Sequence, residues 1–448
     1  MEYLFSLDFL ATIIKAIAVI FVALQIVPGC IYFERKIAAY VQGRLGPNRV
    51  NFEVGHLRYL LPASMRDSIP EGVARLKLIP GSLQPLADAI KLAFKEEIVP
   101  RNADKVLWYI APALAFIPVG TALCFLPFGA TWEFGPTHLL GFEVGRHSIE
   151  MSVAGGVVAG MLMLFAISSL GAYGIACGGW GSGSKFPLMG AVRGVAQVIS
   201  YEVPMGLAFV IALVSVGSID GQEIVRNQAE SWGGFGWLIF RQPLAALIFL
   251  VAMFAENNRL PFDLPEAEPE LVGGYHTEYS GLKFAVFFLG EYCAMILMCG
   301  LFTTLFLGGW AMPELLTSTG WGLGTRLIAG LGGGLVIGLL FAGAVGNRSP
   351  VGAAFVFFLA LGAGLFAAVW PGVSPVGGLL NVVLSIVIFS VKLLAVLWLQ
   401  LWIRWTLPRF RYDQLMDMGW KVLTPLALVN LAITAIVISV WPNFLFLA

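Results

Sequence analysis

The chain has 448 residues, of which 58% are hydrophobic and 12% are charged, with a mean hydropathy of +0.84 and a formal net charge of zero. Charged residues make up about a quarter of a soluble domain, so this composition excludes a soluble globular protein and indicates an integral membrane protein. No short apolar segment with a small-residue cleavage site opens the chain, and the first hydrophobic run is therefore predicted to span the membrane.

Ten apolar runs approach the length of about 20 residues that a helix needs to cross a bilayer. The fifth run is short unless it begins in the aromatic segment 235–240, and the seventh and eighth are rich in Gly and Pro. We therefore predict an all-α integral membrane protein, a single polytopic domain over 1–448, with about ten transmembrane helices. The runs lie near residues 9–33, 106–128, 151–176, 201–219, 243–256, 283–308, 326–346, 351–370, 379–402 and 423–441.

The loops between these runs differ sharply in their content of Lys and Arg. One set of alternate loops carries twenty of these residues, and the opposite set carries three, namely Arg146, Arg226 and Arg241. Because cytoplasmic loops are enriched in Lys and Arg, the rich set is predicted to face the cytoplasm, although its first loop is too long to count at full weight. Both termini are then expected on the outer, periplasmic side.

The segment LQPLADAIKLAFKE in the first loop has the pattern of an amphipathic helix. Its apolar side is formed by Leu83, Leu86, Ala87, Ile90 and Phe94, whereas Asp88, Lys91 and Lys95 lie elsewhere on the helix. Such a helix is expected to lie in the membrane interface on the cytoplasmic side.

The segment PFDLPEAEPELVGGYHTEYSG, residues 261–281, contains five acidic residues and no Lys or Arg, namely Asp263, Glu266, Glu268, Glu270 and Glu278. Its prolines and glycines oppose a regular helix, so an ordered loop or a broken helix is predicted for the acidic loop, 257–282. One interpretation is a solvated acidic surface. The other is a partly desolvated cluster, because apolar residues alternate with the acids, and crowding of like charges raises carboxyl pKa values.

Several charged residues fall within or at the ends of the apolar runs. Glu291 lies eight residues into the sixth run, a depth at which an acid indicates a functional role. Glu256 ends the fifth run, where the helix dipole disfavours a carboxylate, or else it pairs with Arg259. Glu202 begins the fourth run, where a capping role is the alternative. Lys392 lies mid-span and is expected to need a buried acid or a water-filled cavity.

The cysteines and histidines show no metal-binding spacing, and the cysteines fit the role of small buried hydrophobic residues. No metal, haem or iron-sulfur site is therefore predicted for this chain. Ionisable residues from separate helices that converge near the cytoplasmic half of the bilayer indicate proton or ion movement. At this point a secondary transporter fits as well.

Five segments, taken together and in order, resemble the H subunit of proton-pumping NADH-quinone oxidoreductase, respiratory complex I, the counterpart of mitochondrial NADH dehydrogenase subunit 1. The resemblance covers roughly 1–50, 83–310 and 380–448. The segments are ERKIAAYVQGRLGPNR (34–49), LQPLADAIKLAFKE (83–96), VRGVAQVISYEVP (192–204), AENNRLPFDLPEAEPELVGGYHTEYSG (255–281) and WIRWTLPRFRYDQLM (402–416).

This resemblance implies eight tilted core helices at the junction of the membrane and hydrophilic arms of the complex. The protein would form much of the quinone chamber, couple quinone reduction to proton translocation through buried carboxylates, and dock the hydrophilic arm. Quinone, either ubiquinone or menaquinone, is then a substrate, while flavin and iron-sulfur clusters belong to other subunits. The implied partners are other complex I subunits and the lipid bilayer of the bacterial inner membrane, with no nucleic acid.

The resemblance also implies roles for particular residues of this chain. The chain of acids that leads from the quinone chamber corresponds to Glu202, Glu256, Asp263, Glu266, Glu268, Glu270, Glu278 and Glu291. Residues that line or shape the quinone chamber and its entrance correspond to Glu34, Arg35, Arg44, Asp88 and Arg259. The loop that docks the hydrophilic arm corresponds to Arg404, Arg409, Arg411 and Asp413, although basic residues there also suit simple anchoring at lipid headgroups.

Two segments depart from the family pattern, namely an insertion at 51–82 in the first loop and an insertion at 311–380 that is predicted to add two helices. A pair of added helices preserves the topology, and we expect it to pack at the periphery. The alternatives are a related component of an ion-pumping membrane hydrogenase and a free-standing carrier. Arg35, Asp88 and the complete acidic loop favour the quinone enzyme, and a co-purified nucleotide-binding protein would discriminate.

Overall fold

The computed structural model describes residues 7–50, 81–134, 137–139, 142–144, 147–154, 157, 159–231, 236–311, 335, 376–377 and 379–440. The predicted helices 326–346 and 351–370, apart from residue 335, and nearly all of the insertion 51–82 lie outside the described residues.

The described residues are mainly helical. In chain order the α-helices are α1 (Leu7–Val41), α2 (Gln84–Ala93), α3 (Lys105–Leu123), α4 (Gly160–Ser169), α5 (Gly171–Gly181), α6 (Lys185–Val216), α7 (Gly221–Glu230), α8 (Leu238–Arg241), α9 (Pro243–Glu256), α10 (Glu268–Leu271), α11 (Gly281–Phe306), α12 (Leu379–Thr406), α13 (Tyr412–Asp417) and α14 (Thr424–Val440). A π-helical segment, Met418–Leu423, joins α13 to α14.

Seven helical segments of the described chain are long and apolar enough to cross a membrane, which confirms an all-α integral membrane protein. Two of the seven combine shorter helices, namely α4 with α5 and α13 with α14. The helix α9 is apolar but only 14 residues long. It begins at Pro243, a residue that suits the first helical turn, and α8 precedes it in the aromatic segment.

The helix α6 is longer than the sequence predicted. It runs without a break from Lys185 to Val216, so the expected loop 178–200 is largely helical. At about 1.5 Å per residue, this helix is roughly 48 Å long, well beyond the 30 Å hydrocarbon thickness of a bilayer. The predicted helix was too short because Lys185 and Arg193 interrupt an otherwise apolar helical pattern, and the residues around them were therefore assigned to a loop. The helix ends at Gly217, whose positive φ of 77° suits the residue after a helix.

Five short β-strands among the described residues were not predicted. They are β1 (Thr131–Phe134), β2 (Thr137–Leu139), β3 (Phe142–Val144), β4 (His147–Ile149) and β5 (Val376–Gly377). The strand β1 pairs antiparallel with β4 and parallel with β5, and β2 pairs antiparallel with β3. Each strand is only two to four residues long, which is too short to show a clear alternating pattern in the sequence.

The core is a bundle in which α6 packs against α5, α9 and α14, while α11 packs against α1, α3 and α12. The acidic loop lies across one end of this bundle, which we call the acidic-loop end. As predicted, it is irregular, with only the short α10 and a 3-10 turn, Gly274–His276. The loop rests against α6 at Gly190, where a Cβ atom would lie 2.8 Å from the carbonyl oxygen of Pro265. Glycine therefore permits this close packing.

Of the two environments expected for Lys392, a buried acid or a water-filled cavity, the buried acid is not found among the described residues. Its ammonium group donates to three backbone carbonyls, those of Leu307 at 2.7 Å, Gly309 at 3.0 Å and Ala311 at 2.5 Å. It also lies 4.4 Å from the ring centroid of Trp237. These carbonyls follow the end of α11, where the negative end of the helix dipole favours a cation. A helix terminus therefore takes the place of the expected buried acid.

Candidate functional site: a buried cluster of acids and arginines

Arg259 lies at the centre of a buried cluster at the acidic-loop end. Its side chain is 4% exposed, and its Nη2 lies 3.1 Å from Oε2 of Glu291 on α11. Its Nη1 lies 4.0 Å from Oε1 of Glu34 on α1, and its guanidinium carbon is 4.5 Å from the ring centroid of Tyr292. A buried guanidinium needs such partners because burial of an unpaired charge costs several kcal/mol.

The neighbours of Arg259 also keep it charged. Burial alone would lower its pKa, but the surrounding Tyr292, Glu291 and Glu34 raise the pKa of Arg259 well above its ordinary value. The cluster therefore contains a permanent positive charge, while the carboxylates around it can gain or lose protons.

Glu34 joins α1 to α11 and α12. Its Oε2 accepts a hydrogen bond of 2.7 Å from the hydroxyl of Tyr292, and its Oε1 accepts one from Arg404. Glu34 was predicted for the quinone chamber, and Arg404 was assigned to the docking loop. Arg404 lies in the last turn of α12, before the loop, and its side chain, which is 16% exposed, pairs with Glu34.

Glu291 is the acid that the sequence placed deep within a span. Its Oε1 accepts a hydrogen bond of 2.8 Å from the hydroxyl of Tyr275, which belongs to the 3-10 turn of the acidic loop. Burial raises the pKa of Tyr275 well above its ordinary value, so this phenol stays protonated and remains a donor. Glu291 thus has a permanent hydrogen-bond donor on one oxygen and Arg259 near the other.

Glu256 does not pair with Arg259, so that alternative was wrong. The chain leaves α9 through Asn258, which has a positive φ of 50°, and Arg259 turns towards Glu34 and Glu291. Oε2 of Glu256 is buried and has no hydrogen-bond partner among the described residues. The charged residue that acts on Glu256 is Glu202.

Glu202 lies in the middle of α6, and the capping alternative was therefore wrong. It accepts a hydrogen bond from the hydroxyl of Ser169, at the end of α4. The break between α4 and α5 places this hydroxyl beside α6. Glu202 and Glu256 thus form a pair of neighbouring acids within the helices.

A small cavity of about 60 Å³ has both Glu256 and Glu291 on its wall. Its polar lining also includes Ser168, Asn257 and Tyr275, and the rest is apolar surface from α3, α5, α6 and α11. A water molecule occupies about 30 Å³ in the liquid, so the cavity has room for roughly two waters with polar partners. The cavity therefore lies between Glu256, the neighbour of Glu202, and Glu291, the partner of Arg259.

Two acids of the acidic loop are not solvated, contrary to one of the two interpretations. Glu266 is buried, and Asp263 is partly buried. Burial and the nearby Glu266 raise the pKa of Asp263 from 3.8 to about 6. Gln197 on α6 fixes this part of the loop, since its Nε2 donates to the carbonyl oxygens of Ala255 and Phe262, each at 2.7 Å.

Glu270 is solvated, so the other interpretation holds for this residue. It forms ion pairs with Arg193 on α6, at 2.7 Å, and with Arg409, at 3.4 Å. The hydrogen bond from Arg193 lowers the pKa of Glu270. Glu268 begins α10, and Glu278 is half-buried just before α11. The structure does not bring Glu270 or Glu278 into the buried cluster.

The remaining residues predicted for the quinone chamber lie nearer the surface. Arg35 on α1 and Asp88 on α2 form an ion pair of 2.6 Å, which joins the two helices. Arg44 is exposed and donates to Gln42. The helix α2 exposes Leu86 and Ile90 on one face, as the amphipathic pattern predicted.

Sequence reasoning missed three residues that hold the cluster together, namely Tyr275, Tyr292 and Gln197. The first two provide phenolic donors to Glu291 and Glu34. The only sequence signal was position, since Tyr292 follows Glu291 and Tyr275 lies among the acids. Gln197 was placed in a loop because α6 was predicted too short. Among the described residues, no group of three or more His, Cys, Asp or Glu is arranged to hold a metal ion.

Comparison with known proteins agrees with the resemblance in the motifs. The family model described as NADH dehydrogenase matches residues 14–435. The H subunit of NADH-quinone oxidoreductase numbered 1 in Geobacter metallireducens is 38% identical over 96% of this chain and 97% of its own length. The H subunit numbered 2 in Geobacter sulfurreducens is 38% identical over 94% of both chains, and NADH-quinone oxidoreductase subunit 8 of Rhodothermus marinus is 35% identical over 92% of both.

Proposed function

The chain belongs to the NADH dehydrogenase family, as an H subunit of NADH-quinone oxidoreductase, respiratory complex I, and we propose that its buried acids couple quinone reduction to proton translocation. It is a multi-pass membrane component of an oxidoreductase complex, and its partners are other subunits of that complex.

The observation that carries the proposal is the cavity between Glu256 and Glu291. Two buried carboxylates beside a space for about two waters can exchange a proton through those waters, because each carboxylate can either donate or accept. Glu202 lies next to Glu256, and Tyr275 stays hydrogen-bonded to Glu291. The acids then form a route from the acidic loop into the helices.

Reduction of a quinone to a quinol takes up two protons and changes the charge in the chamber. A change of charge near Arg259 acts on Glu34 and Glu291, both of which face its guanidinium group. Because interacting carboxylates titrate as a group, removal of charge from one changes the proton occupancy of the others. The cluster would in this way convert quinone chemistry into proton movement.

We assign the quinone chamber and its entrance to Glu34, Arg35, Arg44, Asp88 and Arg259. The Arg35 and Asp88 ion pair fixes α2 against α1, and the exposed apolar face of α2 suits the membrane interface that an apolar quinone must cross. The quinone itself is the substrate. Electrons reach it from other subunits in this proposal.

We assign docking of the hydrophilic arm to the solvated part of the acidic loop and to the loop after α12. Glu270 and Arg409 connect these two segments, and Arg411 and Asp413 are exposed beside them. With the twenty-to-three bias in Lys and Arg, this end faces the cytoplasm of the bacterial inner membrane and both termini face outward.

The test compares Glu256→Gln and Glu291→Gln in membranes that contain equal amounts of assembled complex. Each substitution preserves the size of the side chain and removes its titrating proton. We expect quinone reduction by NADH and proton translocation to fall together by about tenfold, because the two are linked. Electron transfer from NADH to an artificial acceptor at the hydrophilic arm should be unchanged.

The matched control is Glu230→Gln, an exposed acid at the end of α7 that lies outside the cluster. It should leave all three rates at the level of the unsubstituted complex. Normal proton translocation in both Glu256→Gln and Glu291→Gln would refute the proposed route through the cavity.

A further inference from the structure

A large apolar groove lies on the outside of the bundle between α1, α9, α11 and α12. Its volume is about 1000 Å³, and its walls are almost entirely hydrocarbon. On α1 it is lined by Gly29 and Phe33, and on α12 by Leu394 and Trp398. Phe33, Leu394 and Trp398 are well exposed, so the groove opens to the side of the bundle and towards the membrane interior.

The side chains of this groove do not suit the helix of a neighbouring protein. Helices that associate in membranes present small residues, which let the two backbones approach closely. Here the wall consists mostly of Leu, Ile, Phe and Val, and Gly29 is the lining glycine. A flexible hydrocarbon chain fills such an irregular apolar space better than a rigid helix does.

On α1 a cationic residue, Lys36, follows the groove-lining residues in the direction of the acidic-loop end. On α1, Gly29, Phe33, Lys36 and Tyr40 follow one another at spacings of three or four residues and so share one face. Lys36 lies about 4.5 Å beyond Phe33 along the helix axis, at about 1.5 Å per residue. Among the described residues, no carboxylate pairs with Lys36, whose ammonium lies 5.5 Å from the ring centroid of Tyr32.

The residues around Lys36 suit the boundary between hydrocarbon and headgroups. Tyr40 packs edge to face on Trp402, with ring centroids 6.1 Å apart, and Trp398 packs on Trp402 in the same way. Tyr and Trp are enriched at this boundary because one end of each ring is apolar and the other is polar. The nearby arginine, Arg404, is already engaged by Glu34, which leaves Lys36 for an external anion.

We propose that this groove binds an anionic phospholipid, with one acyl chain between α1 and α12 and the phosphate at Lys36. The occupant is a structural lipid of the bilayer and is separate from the quinone. The inference does not depend on the proposed proton route, because it uses a different face of α1 and no residue of the buried cluster.

The experiment uses the assembled complex in bilayer nanodiscs with phosphatidylglycerol that carries a photoreactive diazirine in its acyl chain. After illumination, mass spectrometry maps the modified peptides. We expect adducts concentrated on 26–33 and 391–401, at least fivefold above those on the exposed face of α14. Even labelling of all outer helices would overturn the proposal, as would labelling of 26–33 and 391–401 that is no higher than labelling of the exposed face of α14.

Gly29→Phe tests occupancy, since a Cβ atom at Gly29 meets nothing within 4 Å and the added ring would project into the groove. It should lower the groove adducts at least fivefold. The matched control is Gly120→Phe on α3, because Gly120 has equally open space but does not line the groove. Equal labelling in both variants would refute binding in this groove.

Two further arms identify the headgroup and exclude the quinone. In the wild-type complex, unlabelled phosphatidylglycerol should displace the probe at least tenfold better than phosphatidylcholine, and Lys36→Gln should reduce this preference to about one. An excess of a prenylated quinone should leave the labelling unchanged. Displacement by the quinone, or a preference that survives in Lys36→Gln, would overturn the proposal of an anionic lipid. The wild-type competition remains decisive if Gly29→Phe prevents assembly.

Discussion

The surroundings of Arg259 and of Lys392, two largely buried cationic side chains, stabilise positive charge in different ways. Arg259, at the acidic-loop end, lies among acids, with Glu291 and Glu34 on either side. Lys392, at the opposite end of α11, has no acid near it among the described residues and donates instead to three backbone carbonyls. Both arrangements satisfy a charge that water would otherwise solvate.

The two regions differ in whether their net charge can change. Carboxylates take up and lose protons, so the net charge around Arg259 can vary while the fold stays intact. Backbone carbonyls cannot titrate, and three acceptors use all three N–H bonds of the Lys392 ammonium group. One region can therefore respond to chemistry, whereas the other fixes the end of α11 in place.

The largest effect is expected from Arg259→Met, which leaves Glu34 and Glu291 without their shared cation. Removal of one partner from a buried ion pair costs about 3–5 kcal/mol. We expect a large loss of assembled complex, measured by native gel electrophoresis of detergent-solubilised membranes. Arg259→Lys retains the charge but not the forked geometry, and it should restore part of the assembly. Equal loss in both variants would show that shape, and not charge, is what the cluster requires.

A slightly smaller effect is expected from Lys392→Met, which preserves the apolar part of the side chain but removes three donors. Each unsatisfied buried acceptor costs about 1 kcal/mol or more, so roughly 2–4 kcal/mol should be lost. The thermal unfolding midpoint of the complex should fall. The control is Lys421→Met, an exposed lysine that pairs with Asp417 at 2.8 Å on the surface. An unchanged midpoint for Lys392→Met would refute the claim that the hydrogen bonds from Lys392 to these carbonyls hold the end of α11 in place.

A moderate, pH-dependent effect is expected from Asp263→Asn. The pKa of Asp263 is raised to about 6 in the folded protein, above its ordinary value of 3.8. The fold thus favours the protonated form, and this contribution to stability is complete below about pH 4 and is lost as the pH rises through 6. Asparagine resembles the protonated acid, so the variant should gain thermal stability over wild type above pH 6.

The pH dependence of activity gives a second measure of the titration of Asp263. Quinone reduction in the wild-type complex should show an inflection near pH 6 that Asp263→Asn removes. The control is Glu230→Gln, which should retain it. Identical stability and activity profiles for Asp263→Asn and wild type from pH 5 to 8 would contradict titration of Asp263 in this range.

The smallest effect is expected from Glu270→Gln, because Glu270 is exposed and its ion pairs with Arg193 and Arg409 are solvated. A surface ion pair contributes less than about 1 kcal/mol. The pKa of Glu270 is lowered, so its contribution is present above the ordinary carboxyl pKa and is lost as the pH falls through the lowered value. Quinone reduction at pH 7 should stay within about twofold of wild type. A tenfold loss would place Glu270 in the proton route after all.

The sequence by itself determined the membrane class, most of the spans, the irregular acidic loop and the family. These follow from local properties, since an apolar run of about 20 residues, a Pro- and Gly-rich segment or a long motif carries its signal in consecutive residues. The depth of Glu291 in its span was also a local property, and it correctly identified a buried acid.

Only the tertiary structure decided which charges meet. The sequence places Arg259 three residues from Glu256, yet Arg259 faces Glu34 and Glu291, because the turn at Asn258 reverses the chain after α9. Likewise, the partner of Lys392 is a helix end brought to it by the packing of α11 on α12. Spacing along a chain limits contacts within one helix, whereas the pairing of buried charges depends on how several helices pack together.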